Sequence, residues 1–251
     1  MKQRADQMLV ERGLAESRTR AQALILAGKV FSGERRVAKS GDMLAEAAPL
    51  EVRGQDHPWV SRGGLKLAHG LAHFGFSPAG RVCLDVGAST GGFTDVLLTN
   101  GAAKVHAVDV GHGQLAWKLR CDDRVVVHEK TNARYLDRAQ IPDPIEVLVC
   151  DASFIGLSTV LPAALGLCVP GSWAVALIKP QFEAGAAAVG NKGVVRDPAV
   201  HREVCERVAA WWGGRPGWTV VGIEDSPITG PEGNREFLLG ARLGTTISTV
   251  P

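Results

Sequence analysis

The sequence predicts an α/β fold with a mostly parallel sheet, preceded by a small α+β module. Short apolar segments alternate with helical segments along most of the chain, which is typical of parallel strands covered by helices on both faces. A basic stretch with a different pattern comes first. The length of 251 residues suits one larger domain with a smaller one attached.

Charge divides the chain in the same way. The first 40 residues contain nine Lys or Arg against four Asp or Glu, a net charge of +5, whereas the whole chain carries +2 and the remainder therefore −3. A basic module joined to a mildly acidic body is typical of polyanion binding. A basic face that is merely solvated has the same composition, so both interpretations stay open.

Two short helices and several short strands are predicted in the first domain, residues 1–56. The first helix ends at Gly13, and Ser17 is placed to cap the second, with Gly28 just past its end. Short strands are predicted around Ser32–Gly33 and in "LEVRG". The Gly- and Pro-containing segment that follows predicts a linker at residues 57–63.

The second domain, residues 64–251, carries five predicted apolar strands and then a pair predicted to form an antiparallel hairpin at the sheet edge. The five strands are RVCLDVG, KVHAVDV, RVVVHE, IEVLVCD and WAVALIK, and the hairpin strands are GWTVVGIED and REFLLGARL.

One uncharged stretch, between Asp151 and Lys179, is long enough to span a bilayer. Pro162, Pro170 and Gly171 interrupt it, and "CVPGSW" predicts a turn. We interpret the stretch as a buried helix, a turn and a buried strand, because parallel strands covered on both faces are this apolar.

The chain's start has no apolar signal core, and its five cysteines are spaced singly, which indicates a reducing compartment. We therefore expect a cytoplasmic protein. The seven histidines show no ligand spacing, so no metal is expected.

The first chemical motif is "CLDVGASTGGFTDVLL", in which a strand runs into Gly87, Gly91 and Gly92 before a helix. Glycines permit a tight turn and the close approach of a ligand. The motif is neither GxGxxG nor a P-loop. Asp109 ends the next strand, 17 residues after Gly92, where a carboxylate typically holds ribose hydroxyls. A nucleoside without pyrophosphate is favoured, and S-adenosylmethionine fits best; a purely structural strand–turn–helix is the alternative.

We expect Asp85 to orient this loop and the cationic methionine end of the cofactor, and Asn132 to contact the adenine. The complete predicted cofactor-binding set is Asp85, Gly87, Ala88, Ser89, Gly91, Gly92, Phe93, Asp109 and Asn132.

Four charged residues are predicted to converge at one edge of the sheet. Asp151 and Lys179 end two strands that should be neighbours, and Lys66 just precedes the sheet. Glu236 begins the last strand, whose antiparallel direction brings its start to the same edge. Ligands of open α/β sheets bind beyond the carboxyl ends of the strands. One such charge is typical of a surface; four together predict a catalytic set.

These motifs resemble known families. The stretch "RADQMLVERGLAESRTRAQALILAGKVFSG" resembles the ribosomal-protein-S-four-like RNA-binding domain, with Ser32 in place of the usual Asn. The Gly-rich loop and the four charges resemble the FtsJ-type ribose 2′-O-methyltransferases. With "VSRGGLKL", "LIKPQFE" and "GVVRDP", the whole chain resembles the TlyA (haemolysin A) family.

The resemblance implies a Rossmann-like class I methyltransferase fold with a seven-stranded, mostly parallel sheet, and S-adenosyl-L-methionine as cofactor. It also implies 2′-O-methylation of cytidine in 16S and 23S ribosomal RNA. The expected partners are ribosomal RNA or ribosomal subunits, with no membrane and no obligate protein partner.

On this basis Lys179 is expected to bind the ribose 2′-oxygen and favour its deprotonated form, with Asp151 and Glu236 holding Lys179 and tuning its pKa. Lys66 is expected to hold the target nucleotide or share that network. Pro180 is expected to fix the backbone and bar a helix there. Phosphate contacts give affinity rather than sequence selectivity. The predicted RNA-binding residues are Arg4, Arg18, Arg20, Lys29 and Arg62.

Three other functions compete with this one. A ribosome-assembly factor with a degenerate enzyme fold would bind RNA without catalysis, but the four-charge set is intact. A haemolysin-like membrane activity has one interrupted apolar stretch to rely on. An NAD-dependent oxidoreductase lacks its GxGxxG loop.

Overall fold

The computed structural model describes residues 2–15, 17–53, 57–185, 189–190, 193–230 and 232–245. The predicted domain boundary at residue 56 lies outside the described residues.

The N-terminal domain combines two helices with short strands around a small apolar core. Its elements are β1 (Lys2–Arg4), α1 (Ala5–Glu11), α2 (Arg18–Leu26), β2 (Val30–Ser32), β3 (Arg35–Arg36), β4 (Met43–Ala45) and β5 (Glu51–Val52). Strand β2 pairs with β3 and β5, and β1 pairs with β4, all antiparallel. The buried core residues are Ala5, Leu9, Ala15, Ala21, Leu24, Ile25, Val30 and Val37.

Helix α2 begins and ends as its sequence predicts. The Ser17 side chain accepts a hydrogen bond from the backbone N–H of Arg20, 3.2 Å away. Gly28 follows the helix with φ +69°, a left-handed conformation that favours glycine. The sequence does not predict β1 or β4, because three-residue strands are too short to show an alternating pattern.

The larger domain places helices on both faces of one sheet. Its first half comprises α3 (Gly63–Phe74), β6 (Val82–Val86), α4 (Gly92–Thr99), β7 (Lys104–Val108), α5 (Trp117–Arg120), β8 (Val125–His128), a 3₁₀ turn (Ala133–Tyr135) and β9 (Ile145–Cys150). Its second half comprises α6 (Leu157–Val160), α7 (Pro162–Gly166), β10 (Cys168–Ile178), α8 (Pro180–Glu183), α9 (Pro198–Gly213), β11 (Trp218–Asp225) and β12 (Phe237–Leu243).

The sheet has seven strands in the order β11-β12-β10-β9-β6-β7-β8. The five strands from β10 to β8 in that order are parallel, and β12 pairs antiparallel with β10 and β11. This confirms the predicted fold class and the predicted terminal hairpin. The strand order reverses between β6 and β9, so a ligand crevice is expected beyond their carboxyl ends.

The uncharged stretch after Asp151 is not a single long helix. Two short helices, α6 and α7, lead into β10, and no helix among the described residues has the length and apolar content needed to cross a bilayer. The turn predicted in "CVPGSW" is wrong, because this segment belongs to β10. Gly171, with φ +85°, and a register shift against β9 between Cys168 and Trp173 absorb the irregularity within the strand.

Candidate active site

The four charged side chains predicted to converge are in contact. Asp151 lies between two cations, with its Oδ1 2.7 Å from Lys179 Nζ and its Oδ2 4.0 Å from Lys66 Nζ. Lys66 Nζ donates a hydrogen bond to Glu236 Oε2 at 2.6 Å. The charges therefore alternate along a chain from Lys179 through Asp151 and Lys66 to Glu236.

Four separate elements place these groups. Asp151 follows β9 and Lys179 follows β10, two adjacent parallel strands whose carboxyl ends meet at one edge. Glu236 directly precedes β12, and the antiparallel pairing of β12 with β10 brings its start to that edge. Lys66 reaches the same point from the first turn of α3.

The cluster is buried and electrically balanced. Lys66 and Lys179 are each 7% exposed, and Glu236 is also buried. Buried charges are tolerated when they are paired and hydrogen-bonded, and two cations here meet two anions. Glu236 was expected beside Lys179, but it pairs with Lys66 because α3 places that ammonium between the two carboxylates. Its effect on Lys179 is therefore transmitted through Lys66 and Asp151.

Three oxygen atoms hold the Lys179 ammonium at the edge of the first cavity. Its Nζ donates to the backbone carbonyl of Asp151 at 3.0 Å and to Ser153 Oγ at 2.8 Å. The contact with Asp151 Oδ1 is an ion pair without hydrogen-bond geometry. The ammonium has three N–H groups, and three oxygen atoms lie within 3.0 Å of it. Pro180 does not bar a helix as expected; it occupies the first position of α8, where its missing N–H costs nothing.

Two adjoining cavities open at this edge. The first, of about 620 Å³, is lined by the four charged residues and part of the Gly-rich loop. The second, of about 470 Å³, is lined by Asp109, Asn132 and neighbouring apolar side chains. The residues common to both linings are Gly87, Ser89, Asp151, Ser153 and Phe154. A ligand in the second cavity would thus lie next to the four-charge cluster.

The glycines of the loop are required by neighbouring protein atoms. At Gly87 (φ +82°) a Cβ would come within 2.8 Å of the Ala152 backbone, and at Gly91 (φ +94°) within 2.2 Å of Leu119. At Gly92 it would come within 2.3 Å of Ser61 Oγ. Close packing, more than the approach of a ligand, accounts for these glycines, and it fixes the loop against the rest of the site.

The predicted cofactor-binding residues divide into three groups. Ala88, Gly92 and Phe93 line the first cavity, Asp109 and Asn132 line the second, and Gly87 and Ser89 line both. Asp85 and Gly91 appear in neither lining.

Asp85 lies behind the loop rather than in a cavity. It is fully buried, and its Oδ2 accepts a hydrogen bond from Thr94 Oγ1 at 2.7 Å, which ties β6 to the first turn of α4. Its Oδ1 has no hydrogen-bond partner among the described residues. Burial raises the pKa of Asp85 to about 7.

Comparison with known proteins agrees with this geometry. The model of the FtsJ-like methyltransferase family matches residues 59–243, and that of the S4 domain matches residues 3–47. YqxC of Bacillus subtilis is 50% identical over 95% of this chain and 85% of its own length. The 16S/23S rRNA (cytidine-2′-O)-methyltransferase TlyA of Mycobacterium tuberculosis is 48% identical over 96% and 90%.

The chain belongs to the TlyA family of FtsJ-like methyltransferases. The solved structure of the "putative hemolysin" from Streptococcus thermophilus has the same fold, with a TM-score of 0.77 and 42% identity over 98% of this chain and 90% of that one. The sequence-based recognition of the family and its two domain types is thereby confirmed.

The second cavity suits the S-adenosylmethionine of a TlyA-family enzyme. Asp109 Oδ2 accepts the backbone N–H of Ser89 at 2.8 Å, and Oδ1 accepts that of Gly111 at 2.7 Å. Each carboxylate oxygen has a second lone pair for a ribose hydroxyl. Val108 and Val110 offer apolar surface to an adenine, and Asn132 lies in the same lining. The donor set therefore fits a nucleoside.

The sequence does not predict three further residues of this TlyA-family site. Ser153 contacts Lys179, and Phe154 and Phe182 line the first cavity with ring centroids 5.0 Å apart. Phe154 is exposed and has φ +65°, an uncommon conformation for an aromatic residue. Their position in the sequence could have predicted them, because they follow the same strand ends as Asp151 and Lys179.

In the S4 domain, two of the predicted RNA-binding cations also stabilise the fold. The buried Asp6 accepts hydrogen bonds from Arg4 Nε and Arg18 Nε at 3.0 Å each, and from Gln22 at 3.1 Å. The bond from Arg4 is the main cause that holds the pKa of Asp6 well below its usual range. The side chains of Arg4 and Arg18 are still 39% and 54% exposed. Both are thus accessible to a phosphate.

Arg20, Lys29 and Arg62 lie apart from Asp6. Arg20 and Lys29 are half-buried on and after α2. Arg62 precedes α3 and lines the first cavity, so it belongs to the catalytic domain's cleft rather than to the S4 domain.

The linker is fixed to the methyltransferase domain. The backbone N–H of Val60 donates to Asp95 Oδ2 at 2.9 Å, and Lys118 donates to the same oxygen at 3.0 Å. A Cβ at Gly64 would lie 2.3 Å from Trp59 Cγ, so the indole packs on the start of α3. Trp59 therefore packs the linker against the methyltransferase domain.

Proposed function

We propose that the protein transfers a methyl group from S-adenosylmethionine to the 2′-hydroxyl of a cytidine ribose in ribosomal RNA. The observation that carries this proposal is Lys179, a buried ammonium that lines the first cavity and is held there by Asp151 and Ser153. Membership of the TlyA family and the name of the Mycobacterium tuberculosis relative support the choice of cytidine and of 16S and 23S RNA.

The residues of the site act on the ribose oxygen. A ribose hydroxyl is a poor nucleophile at neutral pH, and the bound cofactor supplies an electrophilic methyl group on a sulfonium. The Lys179 ammonium donates a hydrogen bond to the 2′-oxygen and stabilises the negative charge that develops there. Lys179 keeps its own protons, and the hydroxyl proton leaves to water in the open cavity. Alignment of the two reacting atoms between the cavities supplies a large further part of the rate.

The other three charges hold Lys179 in place. Asp151 contacts the ammonium through its carboxylate and its backbone carbonyl, and Lys66 balances the second carboxylate oxygen. Glu236 neutralises Lys66 in turn. Because the cluster carries no net charge, one cation can face the 2′-oxygen without leaving an unpaired charge buried in the protein.

The S4 domain supports ribosomal RNA as the partner. More specifically, we propose that the substrate is ribosomal RNA within a ribosomal subunit. The enzyme acts on it in the cytoplasm, without an obligate protein partner. The transfer step itself needs neither a membrane nor a metal ion.

The test combines labelled S-adenosylmethionine with unmodified ribosomal subunits. Alkaline hydrolysis then maps the label, because 2′-O-methylation blocks cleavage at the modified position. We expect label in a hydrolysis-resistant dinucleotide, and a loss of at least about 10²-fold in rate for Lys179→Ala with cofactor binding retained. Lys104→Ala is the matched control, since Lys104 also pairs with a carboxylate, Asp143 at 2.9 Å, but lies outside the site.

Four outcomes contradict the proposal. Label on a base overturns the role of the four-charge cluster, and full activity of Lys179→Ala removes Lys179 from it. Absence of both label and cofactor binding favours the ribosome-assembly factor. Leakage of lipid vesicles by the wild-type protein favours the haemolysin-like activity instead.

A further inference from the structure

Helix α3 and strand β11 bring three metal-ligating side chains together on the outer surface of the methyltransferase domain. His69 and His73 are four positions apart and therefore lie on one face of α3. Glu224 on β11 contacts both: Oε1 lies 3.1 Å from His69 Nε2, and Oε2 lies 3.6 Å from His73 Nδ1. One ligand atom from each residue lies within 4.8 Å of the others.

We propose that these three residues bind a divalent transition-metal ion, with Zn²⁺ as the preferred occupant. Two imidazole nitrogens and one carboxylate are a common three-ligand set for zinc, which leaves a fourth position for water. Calcium and magnesium prefer oxygen ligands and are not favoured by this set. The side chains are 38%, 42% and 31% exposed for His69, His73 and Glu224, so the ion has an open path from solvent.

A simple ion pair accounts less well for the arrangement. One protonated histidine would satisfy the carboxylate, but both rings are directed at it, with centroids 6.1 Å apart. A metal ion instead uses both rings in their neutral form and the carboxylate in its charged form.

The ion would join two elements that also frame the active site. Lys66 lies one turn before His69 on α3, and β11 pairs with β12, which Glu236 precedes. A bond from α3 to β11 therefore adds a second connection beside the contact between Lys66 and Glu236. The metal site acts on the stability of this framework and takes no part in methyl transfer.

The positions of the histidines in the sequence do not by themselves predict this site. The spacing of His69 and His73 is a ligand spacing on a helix, but the third ligand, Glu224, is 155 positions from His69. Glu224 lies near His69 only because the terminal hairpin pairs with the sheet and α3 packs on that sheet.

The test is a titration of the full-length, tag-free protein with Zn²⁺ against a chromophoric chelator. We expect one ion per chain, and at least about tenfold weaker binding in His73→Ala and in Glu224→Gln, since even loss of an outer-shell partner costs that much. His112→Ala is the matched control, because His112 is an exposed histidine beside a single carboxylate, Glu129 at 3.8 Å. Cys121→Ser excludes binding by the exposed thiol.

Stability gives a second readout. With a chelator present, wild type and His73→Ala should unfold at similar temperatures, and only wild type should be stabilised by added Zn²⁺. The proposal is overturned by absence of binding, by equal binding in the His73 and Glu224 variants, or by loss of binding in the His112 or Cys121 variants.

Discussion

Asp6 in the S4 domain and Asp151 in the active site each lie between two cations, yet the two clusters bury opposite partners. Asp6 is completely buried, whereas Arg4 and Arg18 reach solvent. Asp151 is itself partly exposed to the cavity, whereas Lys66 and Lys179 are buried. The first cluster saturates a carboxylate with hydrogen bonds.

The second cluster places two buried cations beside a cavity. A saturated carboxylate stabilises a fold but has nothing to offer a ligand. A buried ammonium that lines a cavity is paired well enough to be retained and can still donate a hydrogen bond to an oxygen placed there. Which partner is buried thus separates a structural cluster from a catalytic one.

The largest difference should appear when each carboxylate loses its charge. Asp151→Asn leaves two buried cations facing one anion and frees Lys179 to shift, so the turnover rate should fall by about 10²- to 10⁴-fold. Asp6→Asn should change the turnover rate by less than about twofold from wild type, because Asp6 lies outside both cavities. This rate is measured at saturating RNA and calculated per folded molecule. Single-turnover kinetics with ribosomal subunits measures both; equal losses would remove the distinction.

Asp85 differs from both Asp6 and Asp151, because it is a buried carboxylate that forms no ion pair among the described residues. Its pKa is raised to about 7 by burial, so the folded state holds the proton more tightly than the unfolded state. Stability is therefore greatest below about pH 4 for this group and is lost as pH rises through 7, by roughly 2–4 kcal/mol.

Asp85→Asn removes that titration and should be more stable than wild type at pH 8. Denaturant unfolding of both proteins between pH 5 and pH 8 measures the difference. A difference that does not change with pH would show that Asp85 is charged throughout this range.

Asp6 should show the opposite dependence on pH with a smaller effect. The pKa of its carboxyl is lowered in the folded state, chiefly by the hydrogen bond from Arg4. The stabilisation is present above the ordinary value near 3.8 and is lost as pH falls below it. Asp6→Asn should cost about 1–2 kcal/mol at pH 7, a modest figure because both arginines are partly exposed.

The same unfolding measurement below pH 4 tests this sign. The difference between wild type and Asp6→Asn should shrink as the pH falls. A difference that grows at acid pH would contradict the role given to Arg4 and Arg18.

The smallest expected effect is on RNA affinity, when single arginines of the S4 domain are replaced. Arg20→Ala should reduce the slope of log affinity for RNA against log salt by about 0.7–0.9, the contribution of one phosphate contact, without a change in stability. Arg18→Ala should reduce the slope similarly and also destabilise the S4 domain, because Arg18 contacts Asp6. Filter binding at several salt concentrations, with thermal unfolding alongside, separates the two roles.

The sequence predicts most of the site because strand order alone determines where strand ends lie. Asp151 and Lys179 follow adjacent parallel strands, and Glu236 precedes an antiparallel one, so their meeting needs no knowledge of side-chain positions. The pairing of Glu236 with Lys66 depends on where α3 packs, which no local pattern encodes. Asp85 resembles a ligand residue by its place before the glycines, but it is buried behind the loop against Thr94.

The cluster of His69, His73 and Glu224 and the irregular start of β10 were not predicted, for related reasons. Glu224 meets His69 only through tertiary packing. The segment "CVPGSW" has the composition of a turn, yet a strand with a positive-φ glycine and a shifted register accommodates the same residues.

The hydrogen bond between Lys66 and Glu236 joins positions 170 residues apart, and this separation has a consequence for the timing of synthesis. Lys66 leaves the ribosome early, but the carboxylate that neutralises it arrives only with the final strand of the sheet. A growing chain that lacks β12 has an incomplete charge cluster and an exposed edge on β10. The charge cluster can therefore form only after β12 has been synthesised and has paired with β10.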